Sequence, residues 1–208
     1  LPAGIPVDVG VAPGGSGGPG DIITSQTVTF DPGASYTVVA NGVLTPGDFA
    51  DNPDGEPIGF EFFVESGAKT TAGSGEVDLR AVHGATDAPT VDVEEGTTTL
   101  LDDLTYRDVM PSYLTVTAEE KQLLVTPGDG DDVVAPFEVD LSGLGGNAAT
   151  VLASGFLNPD ANQGGPGFAL VAALPNGDVL TFTPEDDIPI QEARRQGPQS
   201  TVTVEGTV

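Results

Sequence analysis

His83 is the only histidine in a chain of 208 residues that contains no cysteine. An imidazole titrates near neutral pH, which suits it to general-base catalysis and to metal binding. Either role needs partners, and the sequence offers no second histidine and no thiolate. Its Gly-x-Ser-x-Gly match, GGSGG (14–18), belongs to the Gly-rich run GGSGGPG (14–20), which we interpret as a flexible loop between strands and not as a nucleophile elbow. We therefore interpret His83 as a structural histidine, hydrogen-bonded near Asp87. We predict that the protein has no catalytic residue and is not an enzyme.

The 32 carboxylates are the other groups that could do chemistry. A glycosidase needs two of them in a cleft, one with a raised pKa, and nothing in the sequence indicates such a cleft. Calcium is the stronger alternative, because two Gly-containing loops cluster acidic residues. Neither loop has EF-hand spacing, so solvated acidic loops are the favoured interpretation and no other cofactor is expected. The calcium candidates are Asp51, Asp54 and Glu56 in one loop, and Asp129, Asp131 and Asp132 in the other.

The charge balance limits the classes of partner that the protein can bind. Only six Lys and Arg residues oppose the 32 acidic ones, which gives a net charge of −26. This field repels phosphates, so we expect no nucleic-acid partner, and no apolar run reaches the ~20 residues of a membrane span. An acidic surface with so few lysines is typical of proteins from extreme halophiles, since salt screens the self-repulsion. An ordinary acidic secreted protein is the alternative.

Strand patterns fill the chain up to residue 183. Apolar residues, 38% of the sequence, alternate with polar ones, and Gly and Pro separate the runs. This spacing predicts an all-β protein of tandem antiparallel β-sandwich domains. The predicted strands are residues 5–12, 26–30, 35–44, 58–66, 77–82, 89–95, 112–118, 121–127, 136–141, 149–157, 167–174 and 178–183.

Residues 1–64 resemble residues 116–172, at an offset of about 110 residues, which suits a repeated β-domain. Thr37, Val38, Ala40 and Gly42 align with Thr150, Val151, Ala153 and Gly155. The earlier copy lacks a counterpart of residues 77–115, so we expect an incomplete domain with unpaired strand edges. Either the missing strands precede Leu1 in a longer chain, or another molecule supplies them.

One stretch, VDLRAVHGATDAPTVDV (77–93), resembles the start of a DUF4397 domain, a family found in tandem in secreted and surface proteins of bacteria and archaea. The residues that fit its pattern include Arg80, His83, Asp87, Pro89 and Asp92. The resemblance implies an immunoglobulin-like or transthyretin-like sandwich and an extracellular or cell-surface location. It implies no molecular function. From the residue types, we also expect Arg80 and Asp92 to form a buried or half-buried pair on neighbouring strands.

The resulting division of the chain has four parts. Residues 1–68 form a partial domain, 69–76 a linker, 77–183 a complete β-sandwich, and 184–208 a C-terminal extension. The extension ends in STVTVEGTV (200–208), a strand-like segment after a Gly-Pro break. Its predicted assembly residues are Thr201, Val202, Thr203, Val204 and Val208.

An incomplete domain and a spare strand together predict self-association. A tethered strand that pairs with an open edge on a neighbour propagates head to tail, because such contacts do not close. We therefore expect a non-catalytic extracellular structural subunit that forms a homopolymer, a filament or a surface layer. The alternative is a cell-surface adhesion or ligand-binding module of a longer protein, with cell-surface or glycan contacts through loops such as 45–57 and 158–166.

Overall fold

The computed structural model describes residues 2–128 and 133–185, and within them the protein is all-β, as the alternating pattern predicted. Three short 3-10 turns are the only helical elements in these residues, and none of them is long or apolar enough to cross a bilayer. The strands are β1 (Pro6–Val11), β2 (Thr24–Thr29), β3 (Tyr36–Asn41), β4 (Glu61–Ser66), β5 (Glu76–His83), β6 (Val91–Glu95), β7 (Thr98–Leu104), β8 (Leu114–Thr117), β9 (Glu120–Pro127), β10 (Ala135–Asp140), β11 (Ala148–Ser154), β12 (Ala169–Ala173) and β13 (Val179–Phe182).

The nine strands from β5 onwards form a β-sandwich of two sheets. One sheet has the order β13-β12-β11-β5-β8 and the other has the order β10-β9-β6-β7. All pairs are antiparallel except β5 and β11, which run parallel at the centre of the larger sheet. The core between the sheets is built from the apolar residues that alternate along each strand, including Val77, Val125, Phe137 and Leu170.

The first four strands form two separate antiparallel pairs, β1-β2 and β3-β4. Each pair reproduces the register of its aligned counterpart in the sandwich. Thr37 lies opposite Glu65 in β3-β4, and the aligned Thr150 lies opposite Ala173 in β11-β12. Likewise, β1 and β2 are paired as β9 and β10 are, from Val11 opposite Thr24 to Val125 opposite Ala135. The two segments that resemble each other in sequence therefore have the same local structure.

A glycine turn ends the third strand in both copies. Gly42 and Gly155 have positive φ angles of 87° and 82°, a backbone region that favours glycine. Each turn brings the next residue into a parallel bridge, Val43 with Gly59 and Phe156 with Gly167. The turn explains why β3 ends at Asn41 instead of continuing to residue 44 as predicted.

The strand β7 was missed by the sequence analysis because its alternation is broken. Its register with β6 shifts on both sides of Val93, and Asp103 has a positive φ of 52°. The bulges interrupt the alternation of inward and outward side chains. The adjacent apolar residues Leu100 and Leu101 therefore show no period of two. Residues 69–76, predicted as a linker, lie along the sandwich: Ala72 N donates to Gly146 O at 2.9 Å, and Thr71 bridges to Asn147.

We predict that Gly155→Ala lowers the free energy of unfolding by about 2–4 kcal/mol, because a Cβ there overlaps the carbonyl oxygen of Gly167 and φ is positive. Urea denaturation in molar salt measures the loss. Gly47→Ala is the matched control, since open space surrounds a Cβ at Gly47 and the expected change is within about 0.5 kcal/mol. Equal stability of the two variants would contradict this account of the turn.

Candidate functional site

The candidate site is the free edge of β3. In the sandwich, the corresponding edge of β11 is occupied by β5, and Ala153 O accepts from Gly84 N at 2.8 Å just beyond this pairing. Because Ala153 aligns with Ala40, the N–H and C=O of Ala40 and of Val38 point away from β4. Within the described residues, β3 pairs only with β4, so these groups have no strand partner. The strand β1 likewise lacks a partner where β6 pairs with β9.

The side chains along this edge are unusually open. Val38 is 42% exposed and Leu44 is 56% exposed, and Ala40 is also exposed. Their counterparts Val151, Ala153 and Leu157 pack against the sandwich core. The first copy therefore presents to solvent the strand edge and the apolar surface that the second copy covers with β5.

Arg80 fixes the pair β3-β4 against the sandwich. Its side chain projects from β5 and is 1% exposed. Nη1 donates to Thr37 Oγ1 at 3.2 Å, and Nη2 donates to Ser66 O at 2.9 Å, with Gly67 O and Pro111 O farther at 3.3 and 3.4 Å. The guanidinium also lies 4.5 Å from the centroid of the Tyr113 ring, a cation–π contact. These contacts hold β3 in a fixed position on the outer face of β5.

An ion pair strengthens the same junction. Lys69 Nζ lies 2.7 Å from Asp78 Oδ2, and Thr115 Oγ1 donates to Asp78 Oδ1 at 2.6 Å. The hydrogen bonds from Lys69 and Thr115 lower the pKa of Asp78 below its ordinary value. The Tyr113 hydroxyl accepts from Lys69 N at 2.9 Å, so the backbone after β4 is attached as well.

His83 lies in the interior of this interface, as a structural histidine. It is buried, its Nε2 lies 2.9 Å from Pro89 O, and its ring meets the Tyr106 ring edge to face at 6.0 Å. Burial lowers the pKa of His83, despite the Pro89 carbonyl, which acts in the opposite direction. Burial also raises the pKa of Tyr106 to about 12. Among the described residues, Nδ1 of His83 has no hydrogen-bond partner, which favours the neutral ring with its proton on Nε2.

The carboxylate of Asp87 holds a loop of the second copy, and the hydrogen-bond partner of His83 is Pro89 O, two residues farther along the chain. Leu157 N and Asn158 N each donate to the carboxylate at 2.9 Å, and Asn162 Nδ2 does so at the same distance. In the first copy the aligned N–H groups belong to Leu44 and Thr45. Within the described residues, no carboxylate accepts from these two groups.

Two buried asparagines join the loops of the two copies. Asn52 Nδ2 donates to Thr86 O at 3.0 Å and to Ala88 O at 2.9 Å. Asn162 Oδ1 accepts from Ala50 N at 3.0 Å, and the rings of Phe49 and Phe156 stack at 5.8 Å. The loops 45–57 and 158–166, the candidate ligand loops of the adhesion alternative, therefore pack against each other and the sandwich.

The expected pair of Arg80 and Asp92 is wrong. The two residues lie on β5 and β6, which belong to different sheets, whereas the prediction placed them on neighbouring strands. Asp92 Oδ1 instead accepts from Asp103 N at 2.8 Å across the β6-β7 bulge. The spacing of residues along one segment does not show which sheet each strand joins.

Of the two acidic loops proposed for calcium, the structure describes residues 51–56, whereas residues 129–132 lie outside the described residues. Asp54 Oδ2 accepts from Thr90 N at 2.6 Å and from Thr90 Oγ1 at 2.9 Å, while Asp51 is exposed. Residues 2–128 and 133–185 contain no group of three side chains able to hold a metal ion. Asp129, Asp131 and Asp132 lie outside the described residues, as do the assembly residues Thr201, Val202, Thr203, Val204 and Val208.

No family model, curated protein or solved structure matches this chain. The resemblance to the DUF4397 family and the halophilic origin therefore stay predictions.

Sequence reasoning missed several residues that build the interface, above all Asn52, Asn162, Tyr106 and Tyr113. The buried asparagines had a partial signal, since Asn52 opens an Asn-Pro-Asp turn and Asn158-Pro159-Asp160 repeats it near Asn162. Tyr113 lay in the predicted strand 112–118, and Tyr106 lay outside every predicted strand, but neither position indicated the distant residues on which each ring packs.

We predict that the free energy of unfolding falls as pH decreases below about 6.5, the ordinary pKa of histidine. The folded pKa is lower than the unfolded one, so the unfolded chain binds the extra proton in this window. The slope reaches at most about 1.4 kcal/mol per pH unit and ends at the folded pKa. Urea denaturation between pH 7.5 and about pH 5 measures it.

His83→Gln is the matched control, because it keeps an N–H donor for Pro89 O and every carboxylate. The difference in the pH dependence of unfolding free energy between wild type and H83Q gives the contribution of the imidazole. Parallel stability curves for wild type and H83Q would show that His83 titrates normally in the folded protein and would contradict its burial.

We predict that Asp87→Ala lowers the free energy of unfolding by about 2–4 kcal/mol, because it leaves the three N–H donors from Leu157, Asn158 and Asn162 without their acceptor. Asp160→Ala removes an exposed carboxylate from the same loop and is expected to change stability by less than about 0.5 kcal/mol. Chemical denaturation of both variants gives the comparison, and a D87A protein as stable as D160A would exclude the clamp.

Proposed function

We propose that this protein is a non-catalytic structural subunit of an extracellular polymer, assembled head to tail by β-strand complementation. The observation that carries the proposal is the free edge of β3, next to a second copy of the same strands in which that edge is filled by β5. Unpaired N–H and C=O groups beside exposed apolar side chains favour pairing with another strand.

The rigid attachment of β3 supports a role in assembly. Arg80, the Lys69–Asp78 pair and the buried asparagines hold the edge on the sandwich, so little order is lost when a strand binds. The net charge of −26 opposes close approach of subunits, and molar salt screens it within ~3 Å. Polymer formation is therefore expected to need high ionic strength.

The donor in this proposal is residues 200–208 of a neighbouring subunit, whose Val202, Val204 and Val208 alternate with polar residues. A donor and an acceptor on one chain form a heterologous contact. Such a contact repeats without closing and gives a filament or a tube.

A second function, an adhesion or ligand-binding module of a longer surface protein, has its own support. The first copy lacks counterparts of β5 and of β6, and the N–H groups of Leu44 and Thr45 lack the carboxylate that Asp87 provides in the second copy. An upstream segment that resembles residues 77–93 would supply the counterparts of β5 and β6 and the missing carboxylate together.

We predict that the purified chain forms regular filaments or tubes in molar salt, and that deletion of residues 200–208 abolishes them. Negative-stain electron microscopy and sedimentation measure both. A variant with residues 200–208 replaced by a Gly-Ser segment of equal length is the control for chain length and should also stay monomeric. Polymers that persist without the segment would exclude this donor, and a monomeric wild-type chain would favour the adhesion module.

A blocking variant tests the acceptor separately. Val38→Pro removes an N–H that points away from β4, so the β3-β4 hydrogen bonds remain while strand addition is obstructed. This variant should stay monomeric with an unchanged circular dichroism spectrum. Polymers formed by a folded V38P protein would place the contact elsewhere.

A further inference from the structure

The second copy specifies which kind of strand fits the free edge of β3. The strand that fills the matching edge, β5, runs parallel to β11, with Ala81 opposite Val151 and His83 opposite Ala153. Its residues Val77, Leu79 and Ala81 face the core, whereas Arg80 faces outward. A strand that completes the first copy therefore runs parallel to β3 and carries apolar residues at every second position, the last of them small.

Residues 202–208 have this pattern. VTVEGTV aligns with VDLRAVH (77–83) so that Val202, Val204 and Gly206 take the places of Val77, Leu79 and Ala81. In both segments two apolar residues and then a small one occupy every second position, with Thr203, Glu205 and Thr207 after them in one segment and Asp78, Arg80 and Val82 in the other. The small residue matters, because Ala81 lies at the centre of the β5-β11 pairing, where Val151 faces it.

From this pattern and from the β5-β11 register, we propose that residues 202–208 of another molecule of this protein bind parallel to β3. In this arrangement Gly206 lies opposite Val38 and Val208 lies opposite Ala40. This inference rests on the proposed function and adds the orientation and the register. In this register Val204 and Gly206 cover the exposed side of Val38, which is 42% accessible in the single chain.

The register also places the one charged residue of the donor. Glu205 takes the position of Arg80 and so lies opposite Thr37, whose hydroxyl accepts from Arg80 Nη1 at 3.2 Å. A carboxylate on this face lies near the buried guanidinium of Arg80, whose Nε has no hydrogen-bond partner in residues 2–128 and 133–185. In the antiparallel orientation, Glu205 does not take the position of Arg80 opposite Thr37.

The absence of cysteine from the whole chain makes disulfide mapping a direct test. Two single-cysteine proteins are mixed in molar salt, one carrying Ala40→Cys and the other carrying Val208→Cys with an affinity tag. Neighbouring strands lie about 4.8 Å apart, within the Cα separation that a disulfide accepts. We expect this pair to cross-link between copies in about tenfold higher yield than Ala40→Cys mixed with Val204→Cys.

The second mixture is the matched control, because an antiparallel strand centred on the same Gly206–Val38 contact places Val204 opposite Ala40. Preferential cross-linking of Val204→Cys would overturn the parallel register while leaving strand exchange intact. Polymers that form without either cross-link would also overturn the inference, since another segment then fills the edge. If no polymer forms from wild-type protein, the proposed function itself fails.

Each variant is first examined in the reduced state. Polymers of wild-type appearance by electron microscopy and an unchanged circular dichroism spectrum show that the cysteine has not altered folding. Adding a reductant after oxidation must release the cross-linked pair, which separates a disulfide from nonspecific aggregation.

Discussion

A single buried guanidinium connects the two parts of this protein. Removing a cation from water is costly, and the protein compensates with three backbone carbonyls, the Thr37 hydroxyl and the face of Tyr113 around Arg80. Two of those carbonyls belong to Ser66 and Gly67, where the chain leaves β4. The position of β3 and β4 on the sandwich therefore depends on hydrogen bonds that only this arrangement of the chain provides.

The fixed position of β3 decides what its free edge can do. A two-stranded ribbon by itself is marginally stable and pairs with partners in several registers. Here one face of the ribbon is packed on β5 through Thr37 and Phe63, the latter against Tyr106 at 6.3 Å. On the opposite face, Val38 and Ala40 of β3 are exposed, whereas Phe62 of β4 is buried. The ribbon is therefore held in one position on the sandwich, while the outer edge of β3 has no strand partner within the described residues.

The prediction of the fold succeeded where a residue's environment repeats every two positions. Strands such as β1 and β10 alternate regularly because one face is more buried than the other, and their bounds agree closely with the predicted runs. The prediction failed at β7, where bulges remove the alternation, and at the end of β3, where Gly42 turns the chain. For His83, the sequence predicted a hydrogen bond near Asp87, and the partner in the structure is Pro89 O, two residues beyond Asp87.

By itself, the sequence determined the all-β fold, the repeat and the acidic surface. All of these follow from local periodicity or from composition. The tertiary structure alone decided which sheet β6 joins, which carbonyls receive Arg80, and that Asn52 and Asn162 join the loops of the two copies. These contacts link residues distant in the sequence, and alternation along a strand states which face is buried without stating what covers it.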